Sequence, residues 1–340
     1  MGRITHPELF QGKLTNKHYF EGWYYKLVNQ IGDTIYAIIP GIALDKKFNT
    51  SHAFIQVLNG KTSEYWYFEY PVASFSASPN KFEIKIDNNI FSWDQIHLDI
   101  HKDGHDITGD LSLKNHQKLP WSRKSPNIMG WTTYLTFLEC KHGVLSMDYL
   151  INGNIVVDNS FRGFIEGKGY LEKDFGTSFP KSWIWIQSNH FQNPNLSFFL
   201  SIANVPLWKF EITGFICNLW WNNQHIRFAT YNGAKLYKLE IQKERVKISL
   251  IKYPYLLEVD AKKPAVPENQ HTAMMRAPIS GQMQGKCAES ITSSITIRLF
   301  EVPKDKKHIE EGKRLLFEDV GENSGLEIMA SLESLNLTNL

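Results

Sequence analysis

The stretch from Gly167 to Asn189 holds the residues whose types and spacing best suit proton chemistry. Glu172 and Asp174 stand two positions apart, between Gly169 and Gly176, and Tyr170 precedes them by two. Side chains alternate along an extended strand, so these three positions share one face. Two carboxylates facing an apolar cavity do not both ionise cheaply, and one proton is then shared between them. Such a pair can hold a proton near neutral pH, which is what a general acid requires. The same run also reads as a solvated loop, with Lys168 and Lys173 making ordinary surface ion pairs, because charged residues are mostly exposed. The residues taken alone leave both readings open.

A strand with two tryptophans follows directly. Trp183 and Trp185 share a face, and Gln187 and Asn189 continue it. Aromatic faces stabilise a cation by roughly 0.5–2 kcal/mol per well-placed ring, although core packing accounts equally well for any single ring. The amides of Gln187 and Asn189 both donate and accept, which suits a phenolic hydroxyl; a supporting role within the sheet is the alternative. A similar strand occurs earlier, where Glu21, Trp23 and Tyr25 alternate in the same manner. There Glu21 reads as a second acid, a pocket ligand or a buried structural acceptor. Trp183 falls 160 positions after Trp23. That period is far longer than the roughly 20–50 residues of a solenoid repeat, so it predicts two similar β domains.

The elements that must position these residues are strands nearly throughout. Short alternating runs are broken by turn residues every 8–12 positions or so, the pattern of antiparallel barrels or sandwiches. Asn59-Gly60, Asn152-Gly153 and Asn232-Gly233 read as hairpin turns. Residues 262–267 read as a loop. Only Gly325 to Leu335, with Leu326, Ile328, Met329, Leu332 and Leu335 apolar, reads as a helix.

The 340 residues carry a net charge of +2, which gives no footprint for nucleic acid. Cys140, Cys217 and Cys287 are far apart and lack metal-ligand spacing, so buried thiols in a reducing compartment are expected. Met1 to Lys13 contain no apolar run, and no stretch of about 18 apolar residues occurs. The expectation is a cytoplasmic protein, with contact at a membrane surface left open. The twelve histidines form no HExxH pattern; His97 and His101 lie in strand-like sequence, and His116, His142 and His190 stand alone. Neither a metal nor a cofactor is expected. Gly167-Lys168-Gly169 is followed by no βαβ unit and is no dinucleotide fingerprint.

Phe20-Glu21-Gly22-Trp23-Tyr24-Tyr25-Lys26 resembles the opening motif of the tocopherol cyclase family. Gly169-Tyr170-Leu171-Glu172-Lys173-Asp174-Phe175-Gly176, with Phe179-Pro180, Trp183, Trp185, Gln187 and Asn189, resembles its central motif. Ala277-Pro278-Ile279-Ser280-Gly281 and Gly325-Leu326-Glu327 are also similar to that family. The central motif is more distantly similar to the carotenoid hydratases, which show a tyrosine, an acid two positions on and a glycine four further. An amide often stands in the cyclase motif where this chain has Asp174.

The resemblance implies an all-β protein of two lipocalin-like antiparallel β-barrel domains, taken as residues 1–165 and 166–340; the short C-terminal helix is the one read from the apolar spacing of residues 325–335. It implies acid-catalysed addition of a phenolic hydroxyl to an isoprenoid double bond of a prenylated hydroquinone, closing a chromanol ring as in vitamin E biosynthesis. In a hydratase, water would replace the phenol; a lipocalin-like carrier would bind such a molecule without chemistry. Protonating the alkene assigns Glu172 as general acid, with Asp174 orienting it or accepting a proton and Tyr170 bonded to it. Glu21, Trp23, Tyr25, Trp183, Trp185, Gln187 and Asn189 would line the pocket. The partner is then a small apolar isoprenoid or prenylquinol.

Overall fold

The computed structural model describes residues 4–207, 210–265, 272–304 and 309–337. The loop expected over 262–267 ends outside the described residues at 266 and 267. Two compact units are present, Met1–Phe179 with Ala273–Cys287, and Pro180–Thr272 with Ala288–Leu340.

Unit 1 carries an eleven-stranded antiparallel sheet. Its strands are β1 (His18–Val28), β2 (Ile35–Asp45), β3 (His52–Asn59), β4 (Tyr65–Tyr70), β5 (Phe75–Ala77), β6 (Glu83–Ile86), β7 (Asn89–Ser92), β8 (Gln95–Lys102), β9 (His105–Lys114), β10 (Cys140–Val157) and β11 (Ser160–Gly176). The spatial order is β4-β3-β2-β1-β11-β10-β9-β8-β7-β6-β5. The chain winds outward from β1 to β4 and returns from β5 to β11, so its first and last strands pair at the centre. That position explains why β2 is buried along its whole length and reads as a continuous apolar run, whereas β8 alternates. Among the described residues no ladder joins β4 to β5, so the sheet has two ends.

Unit 2 winds the same way. Its strands are β12 (Trp183–Ser188), β13 (Leu196–Leu207), β14 (Phe210–Trp221), β15 (Gln224–Ala229), β16 (Lys235–Ile241), β17 (Arg245–Lys252) and β18 (Tyr255–Lys262). β19 (Ala273–Ile279) belongs to unit 1 and pairs with the long β20 (Gln282–Glu301), which continues into unit 2 from Ala288; β21 (Arg314–Met329) ends the series. The order is β15-β14-β13-β12-β21-β20-β18-β17-β16, again with first and last strands adjacent. Each sheet wraps its own apolar core, one including Trp23, Tyr25, Leu171 and Phe175, the other Ile184, Ile186, Leu200 and Leu326. The all-β, lipocalin-like architecture is thus present twice. No helix among the described residues is long and apolar enough to cross a membrane.

Three local expectations are corrected. Gly325 to Leu335 is not a helix: β21 runs to Met329 and a turn follows, because Leu326 is a core residue of a strand paired with β12. Among the described residues the single α-helix is the short α1 (Ile309–Gly312). Asn152-Gly153 is no turn but a bulge inside β10; the true turn is Asp158-Asn159, both with positive φ. A division between residues 165 and 166 falls within β11, which is continuous from Ser160 to Gly176.

Candidate active site

β11 lies between β1 and β10 and presents Tyr170, Glu172 and Asp174 on one face, Leu171, Lys173 and Phe175 on the other. Opposite the first set, β10 supplies His142 beside Asp174 and Val144 beside Glu172. β1 supplies Lys26, Tyr24 and Gly22 beside Tyr170, Glu172 and Asp174. Gly176 ends β11 at φ +150°, where a Cβ would lie 2.0 Å from the Glu139 carbonyl oxygen; a side chain there would push the start of β10 away from the cluster.

Five polar groups converge on this face. The Tyr170 hydroxyl donates to Glu172 Oε2 at 2.6 Å. His142 Nε2 lies 3.3 Å from the same oxygen, and His142 Nδ1 lies 2.9 Å from Asp174 Oδ1. The Cys140 thiol donates to Asp174 Oδ1 at 3.7 Å. Glu172 is buried, whereas His142 is 12% and Asp174 24% exposed.

Burial alone would push the His142 imidazole down, but the charges of Asp174 and then Glu172 outweigh it and hold the ring up at about 10. His142 is therefore an imidazolium at neutral pH, and both ring nitrogens donate. Burial, reinforced by Glu172, pushes Tyr170 well above the ordinary phenol range, so it stays a donor. Burial, reinforced by Asp174, also pushes the Cys140 thiol well up, which keeps it from being a nucleophile.

His142 is the residue that sequence reasoning missed. It stands thirty positions before Glu172 with no motif around it. Only the strand register, which slips by two residues between His142 and Tyr149, brings it beside Asp174. His142, Glu172 and Asp174 can each offer one ligand atom, all within 4.8 Å of one another. A divalent cation held there would have to displace the proton on His142.

Glu21, Trp23 and Tyr25 are on the opposite face of the sheet, toward the unit 1 core. Trp23 donates from its indole to the Glu8 carbonyl at 3.0 Å and stacks on Phe82; Tyr25 donates to the Ser92 carbonyl at 3.0 Å. Glu21 is fully buried and accepts from the Gln11 and Gly12 amides, from the Tyr19 hydroxyl and from Lys173 at 2.5 Å.

Trp183, Trp185, Gln187 and Asn189 belong to unit 2, where Ile184 and Ile186 take the core side and leave Trp183, Trp185 and Gln187 on the other face of β12, with Asn189 just past its end. The Trp183 indole donates to the Glu327 carboxylate. Trp185 lies across Gly325, where a Cβ would come within 2.3 Å of the ring. Gln187 Nε2 donates to Asn189 Oδ1 at 3.4 Å. The two similar strands therefore place their aromatic pairs oppositely, Trp23 and Tyr25 inward, Trp183 and Trp185 away from their core.

No match is found among curated proteins. Among solved structures, CghA in complex with Sch210972 is 8% identical, with a TM-score of 0.55 over 92% of this chain and 89% of that one. An AttH-type protein of Nitrosomonas europaea is 12% identical, with a TM-score of 0.50 over 95% and 99%. At these identities the likeness establishes the fold alone. The sequence match is more specific: residues 112–329, which include β10, β11, β12 and β21, fit the model for tocopherol cyclase-like proteins. The chain belongs to the tocopherol cyclase-like family.

Proposed function

We propose that the protein is a cyclase of tocopherol cyclase type that protonates an isoprenoid double bond and adds a phenolic hydroxyl of the same molecule to it. Family membership supports an enzyme of the cyclase or hydratase kind. The observation that carries the chemistry is a buried imidazolium, His142, set between Glu172 and Asp174.

An imidazolium held this firmly is a poor acid toward an alkene. Glu172 is the better donor once it carries the proton, and it is 3.3 Å away. Moving the proton from Nε2 of His142 to Oε2 of Glu172 turns an ion pair into a neutral pair. An apolar substrate that excludes water favours that neutral form, since buried charge is the costly alternative. Glu172 then gives the proton to the less substituted alkene carbon, leaving a tertiary cation. The phenol oxygen attacks the cation, its proton returns to the Glu172 carboxylate, and the substrate's atoms are conserved. Asp174 keeps the Nδ1 proton of His142 in place, and Tyr170 fixes the carboxyl orientation by donating to it.

The test is incubation with geranylhydroquinone in heavy water, followed by mass analysis. Cyclisation places one non-exchangeable deuteron in the product and removes one free phenol while no water is added. A product heavier by one water makes the protein a hydratase. Bound but unchanged substrate makes it a carrier and overturns the acid mechanism.

A further inference from the structure

We propose that the segment between β9 and β10, residues 115–139, docks unit 1 onto an anionic lipid bilayer. Four large aromatic side chains stand out from it: Trp121 is 55% exposed, Trp131 52%, and Tyr134 and Phe137 40% each. Trp and Tyr are the residues that settle at a membrane–water boundary, with the ring in the acyl margin and the polar edge in water.

The charge of the segment fits the same partner. Lys114, Lys118, Arg123 and Lys124 occur without a single Asp or Glu from Leu111 to Leu138, in a chain whose net charge is only +2. All four are exposed. Basic residues next to interfacial aromatics are attracted by the negative surface potential of a bilayer. Phe161 and Ile165, exposed on β11, lie instead in a stretch that includes Asp158 and Glu166.

The segment is a built platform. The Tyr134 hydroxyl donates to the Arg123 carbonyl at 2.7 Å, joining the Trp121 turn to the short 3-10 turn that carries Trp131. Asn127 Oδ1 accepts from the Thr133 hydroxyl at 2.7 Å and from the Met129 amide at 2.8 Å. Inward, the platform reaches the catalytic strand, because the His142 backbone N–H donates to Met129 Sδ at 3.1 Å. A surface built to rest on lipid is thus one hydrogen bond from the residue that holds the proton. The proposal rests on the exposed rings and the charge, and stands whether or not the acid chemistry is correct.

Sedimentation of the full chain with large unilamellar vesicles tests it. Vesicles of phosphatidylcholine with 30% phosphatidylglycerol, near physiological salt, should carry the protein down; pure phosphatidylcholine should bind it at least ten-fold more weakly. Raising the salt to about 0.5 M should weaken the anionic binding several-fold. A Lys118→Ser, Arg123→Ser, Lys124→Ser variant should lose about 100-fold in partitioning, and Trp121→Ala with Trp131→Ala at least ten-fold. A Phe161→Ala, Ile165→Ala variant should bind as the parent does. The proposal is overturned if the parent protein stays in the supernatant, if it binds neutral and anionic vesicles equally, or if the charge variant pellets undiminished. If a platform variant does not fold, the lipid and salt dependence of the parent still decides.

Discussion

β11 carries a buried charge cluster on each face, and the two are built on opposite rules. On the core side, Glu21 and Lys173 form an ion pair in which every near group is committed. Glu21 takes four donors, and Lys173 gives its other protons to the carbonyls of Pro7 and Leu9, both at 2.6 Å. Burial pushes the Lys173 ammonium down and Glu21 pushes it back up. Its hydrogen bonds run to backbone, and they pin the segment around residues 7–12 over the end of the core. On the other side the partners are themselves acids and bases: a phenol, an imidazolium, two carboxylates and a thiol. A proton can move there without any backbone group losing its partner. Burial and charge alone do not distinguish a structural pair from a catalytic one. What separates them is how many of the groups around the charge can titrate: the Tyr19 phenol beside the core-side pair, against a phenol, an imidazolium, a second carboxylate and a thiol on the other face.

If that distinction holds, substitutions on the two faces should fail differently. The largest effect is expected from Glu172→Gln and His142→Asn, each lowering turnover by roughly 10³–10⁴-fold. Unchanged turnover in Glu172→Gln, measured on folded protein, would remove Glu172 from the mechanism.

On the core face, Lys173→Met leaves Glu21 charged and buried, at a cost of about 3–5 kcal/mol in denaturant unfolding. Turnover per folded molecule should be nearly unchanged, and adding Glu21→Leu should restore much of the stability. A large loss of turnover in the folded double variant would merge the two clusters into one site.

Smaller in scale is the pH dependence of unfolding. The folded pKa of His142 is raised from the ordinary 6.5 to about 10. Its contribution is therefore fully present below about pH 6.5 and is lost as pH rises through about 10, on the order of 5 kcal/mol at most. The decline should shrink in Asp174→Asn, which removes the larger of the two raising charges. A profile identical in both proteins would show that His142 is not held by Asp174. The least change is expected from dialysis against a chelator. Activity should persist within about two-fold, since the His142 proton already occupies the space a cation would need; loss restored by one divalent metal would make the cluster a metal centre.

Much of this architecture was legible in the sequence, for a physical reason. Alternation and turn chemistry are local, so the strands, the all-β class and the proximity of Tyr170, Glu172 and Asp174 could be read directly. Asn152-Gly153 misled because the same residues that favour a turn also favour a bulge, and only the ladder with β9 and β11 distinguishes them. The tail misled because Leu326, Ile328, Met329, Leu332 and Leu335 satisfy a helical period, while pairing with β12 and β20 decided for strand. Facing was the main loss. Trp23 and Trp183 sit in similar strings, yet which side of a sheet is the core is set by the neighbours. His142 was invisible for the same reason, because its partners arrive through register.

The slip in β10 has a consequence for descent. The pairing with β11 advances by one residue between Val144 and Ser146 and by another between Ser146 and Tyr149, so the alternation of side chains survives it. An even offset preserves the phase and an odd one reverses it. Loss of a single residue between Val144 and Tyr149 would turn His142 toward the core while leaving every residue of the cluster in the chain. Relatives that share the Tyr170–Gly176 motif can therefore differ in activity through the length of this segment alone, a kind of switch that comparing residue identities column by column does not register.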